Sequence, residues 1–166
     1  AIQIQMPLQE VRMSERNVNT PDAEVGALLA PLLAGHDVGL ISDAGCPAIA
    51  DPGARLVAAA HAAGVLVRPL VGPSSIVLGL MASGLSGQKF AFHGYLPVDV
   101  QARAAAIKKV EREPRQQQQT QLFIETPYRN MQMLEALCQN LNAQTRLSVA
   151  VDLTLESEWI RTWTVE

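Results

Sequence analysis

Aromatic residues are scarce in this chain, 4% of 166 positions, so Ala, Leu and Val must fill its core. Charge is also low, at 17%, and nearly balanced, with a formal net charge of −3. That total signals no basic face of the kind that holds nucleic acid tightly, although a local patch is compatible with it. Only two cysteines occur, Cys46 and Cys138, and they lie far apart. They have no metal-ligand spacing, and a disulfide framework is not indicated in a chain of this size. Cys138 falls within an apolar helical pattern and is expected as a buried thiol. No apolar run approaches the ~20 residues that span a bilayer. The start lacks a basic region followed by an apolar stretch, so no secretory signal is visible. A cytoplasmic protein without membrane association is the default. Apolar residues, in contrast, make up 48%, enough for a sizeable core and against disorder.

The order of elements is the first functional clue. Thr20-Pro21 reads as an N-cap followed by proline at the first helical position. Val25, Leu28, Leu29, Leu32 and Leu33 then repeat at helical spacing, and Gly35 ends the run. Val38–Ile41 reads as a short buried strand, followed by a small-residue loop, Ser42 to Ala50. Asp51-Pro52-Gly53 repeats the cap-then-proline start and opens an Ala-rich helix closing at Gly64. Val65–Leu70 is a second strand, and Gly72-Pro73-Ser74-Ser75 turns into a helix from Ile76 to about Ser83. Alternating strand and helix argues for a parallel sheet covered by helices. Ligands in such sheets sit beyond the carboxyl ends of the strands, where both glycine-containing loops fall.

The texture changes around Gly84 to Gln88, which sets expected lobes of 1–86 and 87–166. In the second lobe, Phe90 to Pro97 begins a strand and a charged helix follows from about Val100 to Arg112. Arg115 and Gln116 to Gln119 read as a solvated connector. Leu122-Phe123-Ile124 is a strand running into a helix started by Glu125-Thr126-Pro127. That helix carries the apolar stripe Met131, Leu134, Leu137, Cys138 and Leu141, and such a stripe is ordinarily core. Leu147–Leu153 and Trp159–Val165 are further strand candidates. The first 19 residues hold no complete strand-and-loop unit, and the last strand would end as an open edge. Both features suggest a chain truncated at each end.

Few residues offer themselves for acid–base chemistry. No complete G-x-G-x-x-G, Walker A loop or H-E-x-x-H is present, and no metal site or catalytic residue can be assigned. His36 suits a helix C-terminus, where a cation meets the dipole favourably. His93, just before Gly94, is the more interesting histidine. Glu125 and Arg129 either face a cleft or pair with each other across one helical turn. The unusual stretch is Ser42 to Pro47: small residues allow close backbone approach to a ligand, and Gly45 permits dihedrals that other residues resist. Asp43 there suits a ribose or amine, or simply caps a tight turn. Gly72 to Ser75 offers N–H groups and hydroxyls at a helix start.

Three separated motifs then match a known pattern. Ser42-Asp43-Ala44-Gly45-Cys46-Pro47, Ala50-Asp51-Pro52-Gly53 and Pro69-Leu70-Val71-Gly72-Pro73-Ser74-Ser75 resemble the tetrapyrrole (corrin/porphyrin) methylase superfamily. The branch resembled is that of the bacterial 16S ribosomal RNA 2′-O-ribose methyltransferases. Phe92 to Pro97, Glu125 to Arg129 and Leu153-Thr154 look like its second-lobe motifs. The resemblance implies a two-lobed α/β architecture, with a parallel sheet in the first lobe and a mixed sheet in the second, commonly as a homodimer. It implies a methyltransferase that uses S-adenosylmethionine and releases S-adenosylhomocysteine. Carried over position by position, Ala44, Gly45, Cys46 and Ile49 would line the cofactor, with Asp43 orienting their loop. Ser74 and Ser75 would contact it from the second loop, and Glu125 and Leu153 from the second lobe. The expected substrate is ribosomal RNA or a tetrapyrrole.

Departures from the pattern narrow this reading. The family's opening strand, with its proline- and glycine-containing loop, has no counterpart. Cys46 stands where threonine is usual, and Leu153-Thr154-Leu155 where the RNA enzymes read Leu-Thr-Lys. These differences favour a sister subgroup of unassigned substrate. Three readings remain: an RNA methylase, a corrin or porphyrin methylase, and a nucleotide-binding α/β domain without catalysis. A ribose hydroxyl needs a general base and a tetrapyrrole carbon does not. No convincing base is visible.

Overall fold

The structure is a computed structural model that describes residues 22–42, 44–117 and 119–166. Its elements run α1 (Asp22–Leu33), α2 (Ala54–Ala62), α3 (Ser75–Ala82), β1 (Phe90–Tyr95), α4 (Val100–Gln117) and β2 (Thr120–Ile124). A 3₁₀ turn (Pro127–Arg129), α5 (Asn130–Asn140), β3 (Arg146–Val151) and β4 (Trp159–Thr164) complete the order. Thr20 and Pro21, expected to start α1, lie outside the described residues. The chain divides into two compact units, one through Pro73 and one from Ser74.

In the first unit α1 packs on α2, burying Val25 and Ala60. Gly35 ends α1 as expected: at φ 86° it sits in the left-handed region, and its N–H donates to the Leu32 carbonyl at 3.1 Å. The start of α2 differs from expectation. Gly53, not Asp51, is the N-cap, with φ 130° and no side-chain cap bond. A Cβ there would lie 2.5 Å from Leu40 Cδ2, so the turn is built around a residue without one.

The two strands expected at 38–41 and 65–70 are not formed. Both segments have no regular secondary structure and join no ladder, and Ile41, Leu66 and Leu70 are exposed. An apolar run becomes a strand only when a neighbour takes its N–H and C=O groups. Among the described residues of this unit there is no such neighbour. The expected parallel pairing therefore occurs in the second unit instead.

There, β1, α4 and β2 form a parallel β–α–β unit with Phe90 opposite Thr120 and Phe92 opposite Leu122. The register shifts between Phe92 and Tyr95, where Gly94 adopts φ 65°. β3 and β4 pair antiparallel from Arg146 opposite Thr164 to Val151 opposite Trp159. Trp159 and Trp163 meet edge to face on one side of that ribbon, ring centroids 6.1 Å apart. The chain is thus α/β, with one parallel and one antiparallel sheet. The expected lobe boundary lies at 86/87, yet α3 already packs with the second unit. A Cβ on Gly79 would meet Ala150 Cβ at 3.8 Å and Leu153 Cδ1 at 4.0 Å.

The core of this unit gathers Leu96, Ile107, Met133, Leu137 and Leu147, with Phe123 and Trp163 packed against them. The stripe on α5 is rotated from the expected one. Met133 and Leu137 point inward, whereas Met131 and Cys138 are exposed, so Cys138 is not the buried thiol foreseen. A 3₁₀ turn, Pro127–Arg129, precedes the α-helix, which starts at Asn130. One residue past Leu137 lies about 100° around the axis, which carries Cys138 off the buried face. α4 also continues through Gln117, over residues expected as connector. Between β2 and β3 lies a cavity of about 380 Å³, lined by Ile107, Phe123, Leu137 and Leu147 among others. No expected cofactor residue lines it. Among the described residues, no helix is long and apolar enough to cross a membrane.

Candidate cofactor loops and the carboxyl edge of the parallel pair

The first expected loop is held by short local bonds. Ser42 Oγ donates to the Ala44 carbonyl at 2.8 Å, the Ala48 N–H to the Pro52 carbonyl at 2.9 Å, and the Ile49 N–H to the Cys46 carbonyl at 3.2 Å. Gly45 has φ 73°, and nothing lies within 4 Å of the position a Cβ would take. The loop therefore presents bare backbone to open space. Ala44 and Ile49 are exposed and Cys46 is half-buried. Asp43 lies outside the described residues. Cys46 Sγ donates to the Pro73 carbonyl at 3.3 Å, which brings the first loop against the end of the second.

Ser74, next in the chain, caps α3 with extended dihedrals, and its hydroxyl makes no cap bond. The first N–H groups of α3 and the Ser74 and Ser75 hydroxyls thus remain available to a polar group. Leu153 occupies the loop after β3. That loop is pinned by Glu158, whose Oε2 accepts from the Thr154 N–H at 2.8 Å, and by Ser157 Oγ donating to Asp152 Oδ2 at 2.9 Å.

Backbone strain marks both loops. Among the described residues, the non-glycine positions with positive φ are Ala48 (65°), Ala50 (54°), Asp152 (53°) and Thr154 (72°). They flank Ile49 and Leu153, two of the expected cofactor contacts. Such conformations cost about 1–3 kcal/mol each and persist where the surroundings enforce them, commonly at ligand loops. A β-branched Thr in this region is the most costly of the four.

A charged pair stands at the carboxyl ends of β1 and β2. Glu125 Oε2 lies 3.0 Å from Arg129 Nη2, with both side chains largely buried. Glu125 Oε1 accepts from the Thr126 N–H at 2.8 Å and its hydroxyl at 3.3 Å. Arg129 Nη2 also donates to the Leu96 carbonyl at 3.1 Å, tying the end of β1 to the turn after β2. The mutual pairing across one helical turn that their spacing allows is thus formed. Arg129→Met is expected to destabilise the protein by about 1–3 kcal/mol, because it strands a buried carboxylate. Urea unfolding measures this, and adding Glu125→Gln to the variant should restore part of the loss.

His93 is similarly occupied. Its Nε2 lies 2.5 Å from Gln121 Oε1 across the parallel pair, while Gln121 Nε2 donates to the Gln119 carbonyl at 3.2 Å. The amide orientation makes Gln121 Oε1 the acceptor and His93 Nε2 the donor. This is a cross-strand tie. One residue escaped the sequence reading: Arg103 on α4 is 6% exposed, and its Nε and Nη1 have no hydrogen-bond partner. Its signal was its spacing, four residues before Ile107 and so on the apolar face.

No family model matches the chain. Individual relatives do. The chain is 37% identical over 138 residues to ribosomal RNA small subunit methyltransferase I of Pseudomonas aeruginosa, covering 83% of this chain and 48% of that protein. It is 38% identical over 133 residues to the protein of the same name from Escherichia coli O157:H7, covering 80% and 45% respectively. The relative from Micromonospora olivasterospora is 37% identical over 149 residues, covering 90% of this chain and 46% of its own length. The chain thus spans about half the length of the curated relatives it matches. Among solved structures, the methyltransferase CobJ shares the fold, with a TM-score of 0.58 at 18% identity over 85% of this chain and 62% of that one. In sequence, then, this chain is similar to ribosomal RNA small subunit methyltransferase I proteins over about half their length, and in fold to the methyltransferase CobJ.

Proposed function

We propose that the protein is an S-adenosylmethionine-dependent methyltransferase acting on a ribose 2′-hydroxyl of ribosomal RNA. The observation that carries this reading is the first loop, where Gly45 leaves its backbone open at φ 73° and Ala48 and Ala50 hold positive φ on either side of Ile49. Backbone strain of this kind is commonly held at ligand loops. The residues present fit that cofactor. Gly45 leaves room for close approach, and Ser74 and Ser75 keep hydroxyls free at the start of α3. When bound, the cofactor supplies a sulfonium methyl group for in-line displacement. The chain's own part is positioning, which lowers the barrier by holding the reacting groups in line. The Cys46–Pro73 contact keeps two of its loops in fixed relation for that purpose. RNA is preferred to a tetrapyrrole because the relatives above 30% identity carry the RNA name, whereas CobJ bears on the fold alone. The chain is expected to work as a homodimer in the cytoplasm.

Calorimetric titration of the full-length protein with S-adenosylhomocysteine should give a saturable heat. Absence of heat at millimolar ligand would discard the cofactor reading. Ribose methylation of ribosomal RNA, mapped in a strain lacking the gene, should lose at least one site. Persistence of every site would discard the RNA reading while leaving the cofactor reading intact.

A further inference from the structure

The cavity between β2 and β3 has walls of a particular kind. A pocket on the face of a strand is lined by alternate residues, because successive side chains point to opposite faces. Here consecutive residues line it on both sides: Gln119, Thr120 and Gln121 at β2, and Thr145, Arg146 and Leu147 at β3. The two strands therefore turn their backbone edges to the cavity. Hydrogen bonding agrees. The Thr120 N–H donates to the Lys89 carbonyl at 2.9 Å on the β1 side, so by alternation Gln121 and Phe123 direct their N–H and C=O groups away from β1. The Thr145 carbonyl accepts from the Val165 N–H at 3.1 Å, which by the same rule turns the backbone groups of Arg146 and Ser148 away from β4. Among the described residues, no strand pairs with either edge.

Two free strand edges along a cavity of about 380 Å³ pose a physical problem. Packed interiors keep few voids larger than a water molecule, and buried backbone groups without partners cost free energy. A compact ligand would fill the volume but satisfy only a few of those groups. An extended chain satisfies both edges, because its own N–H and C=O groups alternate between its two sides. The helices set its side-chain pattern. Ile107 and Val110 of α4, with Leu137 and Leu141 of α5, offer an apolar wall to every second residue of such a chain. The matched span is 48% of the Pseudomonas aeruginosa relative, so proteins of this kind carry about as much chain again. Glu166 stands near the mouth of the gap: its N–H donates to the Ala143 carbonyl at 3.1 Å, and Thr145, close by in the chain, lines the wall. We propose that the gap between β2 and β3 takes an extended segment of the same protein, from beyond Glu166, as an inserted strand. That strand bonds both edges and joins the parallel and antiparallel pairs into a single sheet. The proposal is independent of the cofactor and RNA readings.

Nuclear magnetic resonance of the full-length protein tests this with no ligand present, so the outcome is separate from the methyltransferase reading. The amides of Gln121, Phe123, Arg146 and Ser148 should exchange with deuterium at least about 100-fold more slowly than in an unfolded chain. Proton–proton contacts from those amides across the gap should reach residues numbered beyond 166. Exchange at unfolded-chain rates would mean open edges and overturn the proposal. Contacts across the gap that reach only residues up to Glu166 would name a different occupant and overturn it too. Protection that falls on dilution would assign the gap to a second copy of the protein, and would likewise end it. Val110, on the wall, gives an independent measurement. Val110→Phe should lower the melting temperature of the full-length protein by about 5 °C or more, because a ring forced against an inserted strand overpacks the core. An unchanged or higher melting temperature would reveal a void that the ring fills, and the proposal would fall.

Discussion

Replacing Ile107 by alanine is expected to destabilise the second unit by about 2–5 kcal/mol, the range for truncating a buried aliphatic residue. Ile107 is 1% exposed and sits where α4, α5 and β3 converge, against Leu96, Leu137, Met133 and Leu147. Part of the loss is transfer free energy of the deleted carbons, and part is the void they leave. The void matters here because Ile107 already borders the cavity between β2 and β3. Neighbours that leave that space unfilled are poorly placed to collapse into a larger one. Domains of this size are stable by only about 5–15 kcal/mol, so a loss in this range moves the unfolding midpoint far. Urea denaturation of the full-length protein measures it, with Ile107→Val expected to cost about 0.5–1.5 kcal/mol. A loss below about 1 kcal/mol for the alanine variant would mean that Ile107 is not the centre of this core.

The elements that needed only local information were legible in the sequence. β1 and β2 were visible as apolar runs, and Gly35 marked the end of α1 because a left-handed residue was required there. What failed depended on partners or on phase. Val38–Ile41 and Val65–Leu70 have strand composition, but a ladder is a property of two segments, and neither finds its second. The stripe on α5 was displaced because several apolar residues compete for one face, and which of them faces inward is set by what the helix packs against, here the core around Ile107 and Leu147. Cys138 accordingly sits outside and Met133 inside. Of the candidate site, the small-residue stretch from Ser42 forms a loop, and Gly45 in it adopts the left-handed φ that the sequence reading allowed for. The motifs did not reveal that Glu125 is paired with Arg129, because i and i+4 spacing permits the pair without requiring it. Arg103 was hidden for a related reason. A helix rich in charge reads as solvated, and only its phase against Ile107 betrays the buried one.

The cofactor loop can be tested by separating backbone strain from ligand clash at Gly45. Its φ of 73° disfavours most side chains, yet the space beyond is open, so the protein itself objects only to the dihedral. Asparagine tolerates the left-handed region better than other residues with a Cβ, and valine tolerates it poorly. Gly45→Asn should therefore lower the melting temperature by only a few degrees. If the cofactor approaches the bare backbone there, the same substitution should weaken S-adenosylhomocysteine binding by about 100-fold, near 2.7 kcal/mol. Gly35 supplies the control: it has φ 86°, equally open surroundings, and a place just after α1, outside the motif loops in sequence. Gly35→Asn should match Gly45→Asn in melting temperature and leave the ligand affinity unchanged. Gly45→Val should lose both stability and affinity. Comparable affinities for the two asparagine variants would show that the bare backbone at Gly45 serves a turn and not a ligand. The strained residues around Ile49 would then need another explanation, because their cost would have no binding energy set against it.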